Sequence, residues 1–206
     1  MLPRSRGYGF FVQSSLLIIL LLLPRMAWAA VANPMEIIRD GTDKVLSIIR
    51  QSKAGQGPPL RQREGEILGM VSGYFDFNQM AKMALGHQWK QQTPDRREEF
   101  ARLFKRLLFN TYLDRMENYH NQKIIFDSQK IDGNLATVKT HFVSNGENIP
   151  IDYRLQNEGG QWKVYDVVVQ GISYDDNYRA QIASILSRES FDSLLGMLRA
   201  KVHRNG

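Results

Sequence analysis

The chain has 206 residues and not one cysteine, so no disulfide staples it and no thiol can act as nucleophile or metal ligand. Histidine is scarce. His87, His120, His141 and His203 lie far apart and lack the spacing of a zinc site. No G-x-S-x-G elbow occurs, which leaves nucleophilic catalysis without its usual signature. There are no repeats, low-complexity tracts or heptads. The one long apolar run, Phe10 to Leu23, has 14 residues, short of the roughly 20 that span a bilayer as a helix.

That run reads instead as the core of an export leader. Arg4 and Arg6 precede it, and Ala27-Trp28-Ala29 supplies a small-x-small cleavage site after it. Residues 1–29 are therefore expected to be a signal peptide cut after Ala29. The remainder, 177 residues, forms a single domain with room for a substantial core. The leader carries three arginines and no acidic residue, so its loss lowers the net charge from +6 to +3. The high pI thus gives little reason to expect nucleic-acid binding. With no cysteine after the leader to carry a lipid anchor, the domain is expected to diffuse freely.

Helical signals come first. Asn33-Pro34 with Glu36 is an N-cap, a proline at the first helical position and a capping-box glutamate. Apolar positions then keep helical spacing through Ile49, and Ser52 to Pro59 breaks the pattern. Further helices are expected over about 60–74, 77–85 and 94–118. In the last of these Phe100, Phe104, Leu108 and Tyr112 fall on one stripe. From Lys123 the period changes to two. Strands are expected at 124–128 and 136–142, then as a hairpin of 149–155 and 162–169 around Gly159-Gly160, whose glycines supply the positive φ of a tight turn. Two helices close the chain, about 176–188 and 191–202. The reading is an α+β fold: a bent four-stranded antiparallel sheet packed against a layer of helices.

The hairpin and its sequel are also distinctive in wording: Tyr153-Arg154-Leu155, Trp162-Lys163-Val164-Tyr165-Asp166-Val167, Gly171-Ile172-Ser173 and Asn177-Tyr178-Arg179. Together with Leu85-Gly86, Trp89, Thr93-Pro94, Phe104, Leu107-Leu108 and Thr111-Tyr112, they resemble the MlaC, or toluene-tolerance auxiliary, family of periplasmic phospholipid-binding proteins. One departure is Arg188-Glu189-Ser190-Phe191, where the family commonly shows a glycine pair.

The resemblance implies a periplasmic carrier with an apolar lipid pocket between sheet and helices. It would pass lipid between an outer-membrane lipoprotein–porin complex and an inner-membrane ABC transporter with a substrate-binding ring protein. Such a carrier needs no catalytic residue, metal or cofactor. The lipid-binding residues carried over are Phe104, Leu108, Tyr112, Tyr153, Leu155, Trp162, Val167 and Val169. The residues themselves leave two other readings open: a cone-shaped α+β enzyme built around Asp166, a charge inside an apolar strand, or a module that docks a protein on its apolar face.

Overall fold

The computed structural model describes residues 33–119, 122–144 and 146–204. The leader expected over 1–29, with its cut after Ala29, lies outside them, as do His120 and Asn145. Helix α1 spans Pro34–Lys53, α2 Glu64–Val71, α3 Phe77–Leu85, α4 Gln88–Gln91 and α5 Pro94–Glu117. Strands β1 (Lys123–Asp132), β2 (Leu135–Ser144), β3 (Glu147–Glu158), β4 (Gln161–Val169) and β5 (Ile172–Ser173) follow, then α6 (Tyr174–Leu186) and α7 (Phe191–Arg204). The expected α+β architecture is present. The sheet is one antiparallel meander in the order β1-β2-β3-β4-β5, so the expected four strands become five. The addition is two residues long, too short to leave a periodic signal.

Local chemistry sets most boundaries. Asn33 caps α1, its side chain accepting from the Met35 amide at 3.0 Å, with Pro34 first in the helix. Gly159 and Gly160 hold φ of +60° and +88° in the β3–β4 turn, which no β-branched residue could adopt cheaply. The helix expected over 60–74 is instead a 3-10 turn at Leu60–Arg63 followed by α2, and it ends early for a tertiary reason. The Tyr74 carbonyl accepts from the Val164 amide and the Asp76 amide donates to the Val164 carbonyl, both at 2.8 Å, so Phe75 runs parallel to the edge of β4. An outlying stretch of backbone thus satisfies part of an edge that would otherwise be open.

The upper part of that edge is closed differently. Asp166 is fully buried, opposite Arg154 at a β-bulge in the β3–β4 register. Its carboxylate accepts from Ser173 Oγ at 2.8 Å, from the Asp175 amide at 3.2 Å and from Arg154 Nη1 at 3.0 Å. Ser173 Oγ in turn accepts from the Asp176 amide. Helix α6 therefore starts at Tyr174, two residues before the expected start, with Ser173 as its cap. Asp166 serves as an anchor for that helix start.

Three apolar clusters fill the interior. One joins α3, α5, α6 and α7 around Phe100, Phe104, Leu108 and Leu194. A second joins Ile49, Ile67, Phe109 and Leu113. The third seals Ile38 of α1 onto Val138, Leu155, Trp162 and Val164 of the sheet. Phe75 borders all three.

Asp175 gives this region a pH signature. Its Oδ2 accepts from Arg179 Nη2 at 2.7 Å, while its Oδ1 is buried without a hydrogen-bond partner. Burial pushes the carboxyl up to about 6; Arg179 pulls it down without cancelling that, and the Asp166 and Asp176 carboxylates add to the rise. An aspartate in the unfolded chain titrates near 3.9, so between these values the folded chain binds the extra proton. This contribution is therefore present in full below about pH 4 and fades as the pH rises through about 6. Wild type should gain stability relative to Asp175→Asn as the pH falls from 7.5 to 4, by roughly 2–3 kcal/mol. Urea unfolding of both proteins across that range measures the difference.

Candidate functional site

The inner face of the sheet is mostly apolar, but the helices cover it unevenly. Register places Ala136, Val138, Thr140 and Phe142 of β2 beside Leu155, Tyr153, Ile151 and Ile149 of β3, and those residues beside Val164, Val167 and Val169 of β4. At the α1 end the face is sealed: Val138, Leu155 and Val164 are each 0% exposed. Toward the other end Phe142, Ile149, Ile151, Tyr153, Val167 and Val169 remain only half-buried. Apolar side chains on the covered side of a sheet are left half-exposed only where the opposing layer stands off from it.

The facing wall is aromatic. Tyr112 and Met116, one turn apart on α5, are half-buried, as are Tyr174 and Tyr178 of α6. The Tyr112 and Tyr174 rings lie 5.6 Å apart, and Tyr178 stands edge-on to Phe104 at 5.2 Å. Burial raises the hydroxyl pKa of Tyr112, Tyr178 and Tyr153, the last to about 12. These phenols stay neutral and act as hydrogen-bonding groups in a low-dielectric setting. Tyr153 has no side-chain hydrogen-bond partner among the described residues. Its surroundings enclose it closely enough to raise its pKa, yet it keeps accessible surface. The helical cover over it is therefore incomplete and leaves a gap. Arg115, at the solvent end, reaches the Tyr174 hydroxyl at 3.4 Å and stacks over the Tyr112 ring at 5.5 Å.

Against this wall the eight residues singled out from sequence divide into groups. Tyr112, Tyr153, Val167 and Val169 border the uncovered stretch, with Tyr153 and Val167 at its junction with the cluster under α1, against which both also pack. Phe104 and Leu108 stand behind it, packed into the cluster that holds α5 to α3, α6 and α7, with Tyr178 between Phe104 and the gap. Leu155 and Trp162 are closed under α1 at the sealed end. Residues that the sequence reading did not name here are Tyr174, Met116 and Arg115. Met116 lies four residues after Tyr112 on the helical stripe, so its signal was present. Tyr174 carried none, because α6 begins earlier than its sequence suggests.

Other features are less suited to an apolar ligand. A groove of about 390 Å³ between α3 and the β3–β4 hairpin has Phe75 and Phe77 beside Lys105, Lys163, Asp76 and Glu158. Arg179 donates to the Met83 carbonyl and pairs with Asp175 and Asp176, tying α6 to α3. Among the described residues no group of three or more His, Asp or Glu is placed to hold a metal ion, and no helix is long and apolar enough to cross a membrane.

Comparison with known proteins places this sheet and its helical wall in a family. The family model described as MlaC protein matches residues 39–200. The chain belongs to the MlaC family. Among relatives, the intermembrane phospholipid transport system binding protein MlaC of Haemophilus influenzae is 28% identical over 174 residues, covering 81% of this chain and 80% of that protein. The toluene tolerance protein ttg2D of Pseudomonas putida is 29% identical over 187 residues, covering 88% and 85%. A solved structure of a phospholipid-binding protein from Ralstonia solanacearum, in complex with a phospholipid, superposes with a TM-score of 0.76. It is 26% identical, and the match covers 84% of this chain and 99% of that one. MlaC-family membership also accounts for the hairpin wording from Tyr153 to Val167.

The division of the eight residues is testable by paired truncation. Leu155→Ala, at a fully buried position, should cost about 2–5 kcal/mol of stability. Val167→Ala, at a half-buried position, should cost less than about 1.5 kcal/mol. Guanidinium unfolding midpoints of the two variants measure the contrast, and equal losses would mean that the gap at Val167 is closed in solution.

Proposed function

We propose that this protein is a phospholipid carrier that works in the periplasm without chemistry of its own. The observation that carries the reading is the half-open apolar stretch of the sheet, facing Tyr112, Tyr174 and Tyr178. Membership of a family whose relatives are named for phospholipid transport and binding supports it. Each exposed CH₂ of a lipid tail costs about 0.8 kcal/mol in water, so two tails cost on the order of 20 kcal/mol. A carrier must hide most of both tails and leave the headgroup at the mouth. In this reading the tails lie along Tyr112, Tyr153, Val167 and Val169, backed by Phe104 and Leu108. Leu155 and Trp162 close the deep end.

The same reading has the leader over residues 1–29 directing export and leaving after Ala29. Lipid is then exchanged with an outer-membrane lipoprotein–porin complex and with an inner-membrane ABC transporter carrying a ring protein. The reading requires neither a catalytic group nor a cofactor. Both Asp166 oxygens are already engaged at the start of α6, which argues against the enzyme reading built on that carboxylate.

The deciding measurement is lipid mass spectrometry on protein purified without detergent. About one phospholipid per protein is expected. Val167→Glu, which puts a charge against the acyl chains, should lower occupancy at least tenfold while far-UV circular dichroism stays unchanged. A folded wild type that carries no lipid would overturn the carrier reading, and full occupancy in Val167→Glu would overturn the placement of the tails.

A further inference from the structure

Three hydroxyl groups and one cation sit where a purely apolar slot would have none. Tyr174 takes its place at the first position of α6 because Asp166 and Ser173 fix where that helix begins. There its ring meets Tyr112, to whose side chain it also hydrogen-bonds, and its hydroxyl accepts from Arg115 Nη1 at 3.4 Å, a long contact that a closer acceptor on a ligand can replace. Arg115 has no ion-pair partner among the described residues. Among the described residues it touches that hydroxyl and the Tyr112 ring, and its charge also reaches Tyr178. Most arginines around it are committed: Arg61 to Glu64 and Glu117, Arg106 to Glu64, and Arg179 to Asp175 and Asp176.

Tyr153 supplies the independent observation. It is half-buried on the inner face, opposite Val138 and Val167 and close enough to Tyr174 for their charges to interact, and its hydroxyl has no side-chain partner among the described residues. A half-buried hydroxyl with no protein partner is free to donate to a ligand that displaces its water. Tail methylenes offer it no acceptor and cannot fill that role. A ligand with an anionic group at the Arg115–Tyr174 level and an ester oxygen further in can.

We propose that Arg115 and the Tyr174 hydroxyl bind the phosphate of a glycerophospholipid, while the Tyr153 hydroxyl donates to an ester carbonyl between the phosphate and the tails. The proposal rests on the carrier reading and deepens it, by naming what the site selects. Arginine presents a planar fork of donors that matches phosphate oxygens, and the nearby phenols, kept neutral by burial, add donors without adding charge. The site therefore separates lipids by the presence of a phosphodiester rather than by the alcohol esterified to it. Phosphatidylglycerol and phosphatidylethanolamine are accepted alike, and diacylglycerol with the same tails is rejected. Tyr153, which reads an element common to all three lipids, contributes to holding but not to choosing.

The test incubates delipidated protein with vesicles of equimolar phosphatidylglycerol and diacylglycerol of matched chains, re-isolates the protein and measures both lipids by mass spectrometry. Wild type should carry phosphatidylglycerol in at least tenfold excess. Arg115→Gln should lower that ratio about tenfold, Tyr174→Phe should lower it by a smaller factor, and Arg115→Lys should recover part of it. Tyr153→Phe should reduce the occupancy of both lipids with the ratio unchanged. A ratio in Arg115→Gln equal to that of wild type, with lipid still bound, would overturn the phosphate assignment and leave the carrier reading standing. Failure of wild type to take up either lipid would overturn both.

Discussion

The free edge of β4 is the place where this molecule is assembled. A meander ending at β4 would leave a row of backbone groups unpaired, and a buried edge cannot stay that way. Two devices close it. Tyr74 to Asp76 pair with Val164 at one end, and β5 with the Asp166 anchor closes the other. Each device also delivers a helix. The first ends α2 and starts α3, since Asp76 both bonds to Val164 and caps α3 through the Gln79 amide at 2.8 Å. The second starts α6. The helical layer is therefore hung from the sheet by its edge, and α3 and α6, side by side, set how far that layer reaches over the inner face.

The gap follows from this suspension. Cover at the α1 end comes from a different helix, pressed directly onto Val138, Leu155 and Trp162 through Ile38. Toward the other end, cover depends on α5 and α6, which meet each other through Tyr112 and Tyr174 before they meet the sheet. Tyrosine is long, so this pair in the corner between α5 and α6 keeps the two helices from settling onto the sheet as smaller residues would let them. The same residues that prop the space open also furnish its polar groups, which is why wall and specificity cannot be separated by inspecting burial alone.

Much of the fold was legible in the sequence because its signals are local. The Asn33-Pro34 cap, the Gly159-Gly160 turn, the α5 stripe and the alternation from Ala136 to Val169 each depend on residues within one turn or one strand. What escaped depends on partners far along the chain. The bridge from Phe75 to Val164 shortened the second helix, and Asp166 moved the start of α6 back to Tyr174. The site was half legible for a related reason. Alternation says which side chains face inward, so all the inner-face candidates looked alike. Whether a helix lies down on them is decided by long-range packing, and that separates Leu155 and Trp162 from Val167 and Val169.

The polarity of the gap bears on how a carrier can both hold and release its ligand. A fully apolar cavity would bind tails by area alone, and each buried methylene that stabilises the complex would raise the barrier to letting it go by the same amount. Fixing the phosphate and ester positions with a few hydrogen bonds adds selectivity at small cost to release, because water at the mouth can replace those bonds as the headgroup leaves. In the proposed arrangement tail burial sets retention, and the polar ring sets identity. The α6 start is the point where these two meet. It carries Tyr174 into the polar ring, Tyr178 against the α5 core, and Asp175, with one unpartnered buried oxygen, beside the Asp166 anchor. A helix whose first turn buries a carboxylate oxygen without a partner is less firmly seated than one whose first turn is fully hydrogen-bonded. Movement of α6 away from Tyr112 would open the gap along its length while the sealed end under α1 stayed intact.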